Sequence, residues 1–136
     1  MKEKVYVDSN IFIYAATNIE TEGERARALL EKIKNGDMQG VTSLLALDEV
    51  LWALQKATGK KVAHMVVSTL LIFPNLILVD VTRSILAETL HIYEHHNLHP
   101  RDALHLATMQ LKGIKTILSS DPDFDRIPTV KRIGLR

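Results

Sequence analysis

Acids recur at one kind of place in this chain of 136 residues. The run KVYVD ends on Asp8, LILVD on Asp80 and ILSSD on Asp121, each an acid closing a short apolar stretch. Two further sites lie in segments of helical periodicity: Asp48-Glu49 within TSLLALDEVLWAL, and Asp102 near the start of HPRDALHLATM. SSDPDFDR then adds Asp123 and Asp125. Carboxylates brought together repel, by about 4 kcal/mol for two unit charges about 4 Å apart at an effective dielectric near 20. Such a cluster makes physical sense around divalent cations, and an all-oxygen donor set suits Mg²⁺ or Mn²⁺. Two such ions about 4 Å apart activate water and steady the leaving oxygen of a phosphodiester during in-line attack. That chemistry needs no nucleophilic side chain, which agrees with a chain that has no cysteine and no serine elbow motif.

Each acid also has a plainer reading. Asp is a favoured turn and cap residue, and the first helix has its own capping candidates in Ser9 and Asn10. Asp80 fits the entry to a helix beginning at Val81-Thr82. Asp102 falls in a first helical turn, where the helix dipole favours an anion without any function. Asp48 and Glu49 lie about 100° apart on their helix, so at most one points squarely at a given site, and periodicity leaves the choice open. What favours function for Asp102 is its company: Ala103, Leu104, Leu106 and Ala107 describe a helix buried on most sides. The alternating acids of SSDPDFDR resemble a calcium loop, but Arg126 and Arg132 stand where that loop needs Gly and Glu.

The elements that must position these acids alternate in type. Val5–Val7 reads as a strand, with a helix begun by Ile11–Thr17. Glu22–Asn35 is an amphipathic helix with Ala26, Leu29, Leu30 and Ile33 on one face, closed by Gly36. A short strand over Gln39–Thr42 leads to Ser43, which caps a helix carrying Leu44, Leu47, Val50, Leu51 and Leu54. Thr58-Gly59 breaks it, and Lys60–Phe73 is helical again up to Pro74. Leu76–Val79 is a third strand, followed by a Thr82-capped helix to about Asn97. Pro100 suits the first position of the next helix, which ends at Gly113. Ile114–Leu118 is a fourth strand and Thr129–Ile133 a short fifth. Strands separated by helices imply crossover connections and a parallel sheet covered on both faces. The expected fold is one domain, residues 1–136: a three-layer α/β/α sandwich on a parallel sheet of four to five strands. In such sheets ligands bind beyond the carboxyl ends of the strands, where strand order reverses.

Composition is that of a globular protein, with 46% hydrophobic and 24% charged residues. The formal net charge of +1 does not announce a nucleic-acid partner and leaves room for a local basic cluster. Asp8-Ser9-Asn10 cuts the first apolar stretch below the length of a secretion signal. The apolar stretch Met65–Val79 is broken by Pro74-Asn75 and falls short of the roughly 20 residues that span a bilayer. Together with the missing cysteines, these features suit a soluble, cytoplasmic protein with no membrane partner.

VDSN near the start, SLLALDEV, RDALHLAT and LSSDPDF, in that order and spacing, together resemble the PIN-domain ribonucleases, including the toxin components of prokaryotic toxin–antitoxin pairs of the VapBC type. The resemblance covers essentially the whole chain. It implies catalytic, metal-binding carboxylates at Asp8, Glu49, Asp102 and Asp121, and so chooses Glu49 over Asp48. Asp123 matches a position where the family often carries an acid. Asn10 and Ser119 match small polar positions that orient the acids or bound water. The implied activity is hydrolysis of RNA phosphodiesters with Mg²⁺ or Mn²⁺. The implied partners are an RNA substrate, a second copy in a homodimer and a small antitoxin that silences the enzyme. Two alternatives stand beside this: an RNA-processing PIN nuclease that is not a toxin, and a non-catalytic α/β module whose acids merely hold an ion.

Other residues attract weaker expectations. Arg101, Arg126, Lys60 and Lys61 are candidates for RNA contact, Arg101 the most interesting because it adjoins Asp102. His91 and His95, one helical turn apart, resemble a zinc pair but lack the Glu-assisted H-E-x-x-H pattern. His105, one turn after Asp102, is a candidate partner for that acid or an ordinary core or surface histidine. A phosphatase of the haloacid-dehalogenase type would need an acid where Asn10 stands. Apolar helix surface in LLALDEVLWALQ or Ala63–Leu71 offers a dimer face, to which Trp52 belongs unless it is core.

Overall fold

The computed structural model describes residues 2–136. Five strands form one wholly parallel sheet: β1 (Lys4–Val7), β2 (Gln39–Ser43), β3 (Leu76–Val79), β4 (Thr116–Leu118) and β5 (Lys131–Ile133). Their spatial order is β3-β2-β1-β4-β5, so β1 is central. Registers such as Tyr6 opposite Val41 and Val7 opposite Leu118 bring the ends of β1, β2 and β4 nearly level.

Helices α1 (Ser9–Thr17), α2 (Thr21–Lys34), α3 (Leu44–Thr58) and α4 (Lys60–Leu71) make the crossovers on the way from β1 to β3. Helices α5 (Arg83–His95) and α6 (Pro100–Leu111) carry the chain from β3 across to β4. Right-handed crossovers dictate the layers: reversing the direction of travel along the sheet moves the helices to its other face. The alternation of β1 records both layers. Val5 and Val7 are buried against α1–α4, while Tyr6 is buried among residues of α5 and α6. Burying each such aliphatic side chain contributes about 1.5–3 kcal/mol, which fixes the strand's face assignment. Among the described residues no helix is long and apolar enough to cross a membrane.

The sequence-derived elements are all present, with one informative correction at the start of α1. Neither Ser9 nor Asn10 caps this helix. Asp8 does, its carboxylate accepting the Ser9 backbone N–H at 2.7 Å. The strand ends at Val7 as expected, but the helix begins directly after Asp8, so Ser9 and Asn10 fall inside its first turn. At the other junctions the expected caps hold: Ser43 accepts from Leu45 N, and Thr82 from Ile85 N. Gly59 separates α3 from α4 with a φ of +97°, a conformation that costs other residues a steric penalty.

Candidate active site

The strand order reverses at β1, and the gap between the ends of β1 and β4 is where the chain concentrates polar side chains. Asp8 extends the ladder by one bond, its N–H donating to the Leu118 carbonyl at 3.0 Å. The residue is only 3% exposed, and its carboxylate is fully engaged. Oδ2 accepts from Ser119 Oγ at 2.7 Å and from Asn10 Nδ2 at 3.1 Å. Ser119 Oγ in turn receives the Asp121 backbone N–H at 3.0 Å, and Asn10 Oδ1 receives that of Ser120 at 3.1 Å. Asn10 and Ser119 thus clamp Asp8 to the segment after β4, which orients Asp8 and Asp121 relative to one another.

Asp121 caps a short 3₁₀ turn, Pro122–Arg126, accepting from Asp123 N at 2.9 Å. The turn folds Asp123 back beside it. One oxygen each from Asp102, Asp121 and Asp123 lie within 4.8 Å of one another, with each residue part-buried. Asp102 arrives in the first turn of α6, behind Pro100. Burial, and then the charges of Asp8 and Asp121, push the Asp102 carboxyl up to about 7. Burial likewise raises Asp8, aided by the Glu49 charge and opposed by His105, Ser119 and Ser9.

Glu49 reaches the site differently. On α3 it is part-buried while Asp48 is exposed, so geometry separates a pair that periodicity left open. Glu49 Oε1 lies 2.8 Å from His105 Nε2. The ring is wholly buried, 3.9 Å from Asp8 Oδ1, and its Nδ1 meets the Tyr6 hydroxyl. A carboxylate only accepts, so Nε2 carries a proton; in the neutral ring Nδ1 then accepts from Tyr6. Burial raises the Tyr6 phenol and keeps it protonated, and its oxygen takes the Ser43 N–H at 3.2 Å. Burial opposes charge on His105, but the Glu49 hydrogen bond and the charges of Asp8, Glu49 and Asp102 prevail and raise it. His105 was expected as a partner of Asp102 or an ordinary core or surface histidine. It is in the core, and there it is the tether of Glu49, a role hidden because the partners are 56 residues apart.

The remaining candidates separate clearly. Asp125 is bound by Arg132 through two hydrogen bonds, which lower its carboxyl, and takes no part in the cluster. Arg132 also donates to the Ser119 carbonyl, bracing the segment after β4. Arg126 is spent on Asp123 (2.9 Å) and on the Asn97 carbonyl (3.2 Å). Arg101 is exposed, with no hydrogen bond or ion pair among the described residues. Lys60 and Lys61 open α4, after α3 has run about 14 Å beyond Glu49 at 1.5 Å per residue. Asp80 is exposed at the end of β3, two strands from β1 and so roughly 10 Å to the side. A cavity of about 590 Å³ gathers Asp80, Thr82 and Lys112, but none of the four acids. The His91 and His95 rings lie 4.4 Å apart, with His95 Nδ1 bonded to the His91 carbonyl. Trp52 is 57% exposed and is not core.

Residues 5–130 match the PIN domain family. The chain belongs to that family. The "Ribonuclease VapC2" of Methanocaldococcus jannaschii is 28% identical over 147 aligned positions, covering 98% of this chain and 95% of the relative. Among solved structures, the fold matches Mycobacterium tuberculosis VapC20, described as a sarcin-ricin loop cleaving toxin. That likeness has a TM-score of 0.77 and 18% identity, over 93% of this chain and 97% of the other. A toxin-antitoxin complex from Klebsiella pneumoniae matches with a TM-score of 0.69 and 22% identity, over 97% and 98%. These distant structures establish the architecture of the PIN domain; the chemistry rests on its own side chains. Those fit a hard divalent cation. Asp102, Asp121 and Asp123 offer oxygen only, and their mutual repulsion, visible in Asp102, is what a cation removes.

Proposed function

We propose that this PIN domain is an endoribonuclease that hydrolyses RNA phosphodiester bonds with Mg²⁺ or Mn²⁺, in a two-metal arrangement. The observation that carries the reading is the group Asp102, Asp121 and Asp123, packed with oxygens within 4.8 Å beside the buried Asp8. In this reading Asp8, Glu49, Asp102 and Asp121 are the catalytic, metal-holding acids, with Asp123 completing the set. When bound, the metal supplies positive charge at the scissile phosphate and a lowered pKa for the attacking water. The protein's part is positional. Asn10 and Ser119 hold Asp8 in one orientation, and His105 holds Glu49 by Oε1 while Oε2 makes no hydrogen bond among the described residues. In hydrolysis, water oxygen bonds to phosphorus, one ester P–O bond breaks, and the departing oxygen leaves as a hydroxyl.

The biological setting we propose is that of a cytoplasmic toxin held in check by a small antitoxin, supported by the named relatives. We also propose a homodimer. Leu86, Leu90 and Tyr93 share one stripe of α5, each half exposed or more, a face the sequence reading did not single out. The test is incubation of purified protein with mixed RNAs in Mg²⁺ or Mn²⁺, in EDTA, and as Asp121→Asn. Cleavage that survives EDTA or is undiminished in the variant refutes the reading. Growth arrest on expression, relieved by a small protein encoded alongside, distinguishes toxin from processing enzyme.

A further inference from the structure

We propose that Trp52 and Arg101 form a subsite for one unpaired nucleotide of the RNA, its base on the indole and its phosphate on the guanidinium. This rests on the reading that the neighbouring acids cut RNA.

Glu49 and Trp52 are three residues apart on α3 and therefore share one stripe of the helix. Next to the acids that stripe borders a cavity of about 460 Å³, with Ile13, Glu49, Trp52, Ala53 and Arg101 in its walls. An indole left 57% exposed in the same cavity as Glu49 is an unusual use of the most stacking-prone side chain. Its surroundings are cationic on two sides. Lys56 Nζ lies 5.4 Å from the ring centroid, and Arg101 enters from α6, directly before Asp102. Arg101 has no protein partner among the described residues, whereas Arg126 and Arg132 are both bound to aspartates. Asp48 on the rim repels phosphate and leaves the backbone the Arg101 side. Apolar ring, free guanidinium and cutting site are thus contiguous. The chemistry that uses all three is a nucleotide with an accessible base face. Paired bases keep their faces inside the helix stack, so the substrate segment is single-stranded, a loop, bulge or end.

Trp52 is the sole tryptophan of the chain and reports on itself. Its emission is followed in full-length Asp121→Asn protein with Mg²⁺, on titration with hexauridylate, with the same strand lacking bases, and with a 12-pair RNA duplex. Saturable quenching by the base-bearing single strand alone is the expected result. In cleavage assays with the otherwise unaltered chain, Trp52→Leu raises KM about 5- to 150-fold, the weight of one stacked base, and Trp52→Phe recovers part of the loss. Arg101→Ala raises KM for every sequence and lowers the slope of log affinity against log salt by about 1. Equal quenching by the baseless strand, or an unchanged KM in Trp52→Leu while RNA is still cut, overturns the subsite and leaves the nuclease reading intact. Emission that shifts with protein concentration and ignores RNA assigns this face to a second copy and also overturns it. If no RNA is bound or cut under any condition, subsite and nuclease reading fall together.

Discussion

Replacing one site acid should stabilise the metal-free protein, and Asp102→Asn is where the effect is clearest. Burial, then Asp8 and Asp121, push the Asp102 carboxyl from its ordinary 3.8 up to about 7. Between those two values the folded state keeps a proton that the unfolded chain has lost, so stability falls as pH rises through the window. Fully shielded, about 3 pK units at 1.36 kcal/mol each would amount to about 4 kcal/mol. Asp102 is only part-buried, and solvent screening leaves about 1–2 kcal/mol. Asn cannot ionise and keeps an N–H to offer Asp121. Melts followed by circular dichroism in EDTA should therefore lie closest for the two proteins at about pH 3.5, below the unfolded carboxyl's pKa, and diverge progressively up to pH 8. At about 3–4 °C per kcal/mol for a domain of this size, Asp102→Asn should then melt about 3–8 °C higher. In saturating Mn²⁺ the order should reverse, because the unaltered site gains the ligand's binding energy and the variant gains less. A variant equal to or less stable than its parent at pH 8 without metal refutes the idea that the acids are held together against their repulsion.

Other expectations follow from the same contacts. Mn²⁺ at about 100 times its Kd should add about 2.7 kcal/mol to the unaltered protein, read as a higher melting temperature, and no shift at millimolar metal refutes a preformed site. Ser119→Ala leaves Asp8 Oδ2 and the Asp121 N–H each short of a partner, and should cost about 1–3 kcal/mol in denaturant melts. Arg126→Ala releases Asp123 from its ion pair, so Mn²⁺ affinity by calorimetry should tighten about 1.5- to 5-fold; weaker binding refutes the competition. Light scattering should return a mass near twice 15.3 kDa, and Leu90→Glu should halve it; a monomeric parent removes α5 as the dimer face.

The layers and strand sequence were legible because each element carries its own period and punctuation: Ser43, Thr82, Pro100 and the break at Thr58-Gly59 mark boundaries that the structure keeps. The acids at Asp8, Asp102 and Asp121 were legible for a related reason, since strand ends and helix starts are local features. What escaped depends on long-range pairing. Periodicity near Asp8 does not tell that Ser119 holds it, and only the family resemblance pointed to Ser119 as a residue that orients the acids; nothing near Glu49 tells that His105 holds it. Periodicity made Asp48 and Glu49 equivalent because both edge the same apolar stripe; only the structure separates them, leaving Asp48 exposed and bonding Glu49 to His105 of α6. The cap expectation at Ser9 or Asn10 failed because Asp8 can accept from Ser9 N with one oxygen and from Ser119 with the other.

That double use of Asp8 links fold and site. The cap bond to Ser9 requires the strand-to-helix turn to be tight, which sets the carboxylate at the sheet edge rather than in solvent. The alternation of β1 then puts Tyr6, two residues earlier, on the α6 side, where its hydroxyl meets His105 and so fixes the donor that reaches Glu49. Central strand, cap and tether are therefore one construction. His105→Leu tests it: the Tyr6 hydroxyl and Glu49 Oε1 both lose a partner, at a cost of about 1–3 kcal/mol in melts. Mn²⁺ affinity should also fall about 10- to 100-fold, as when the support of a metal ligand is removed. His105→Gln, which can still donate to Glu49, should recover part of the metal affinity even if the melting temperature stays low. A His105→Leu protein that binds Mn²⁺ as tightly as its parent would show that Glu49 needs no tether, or holds no metal.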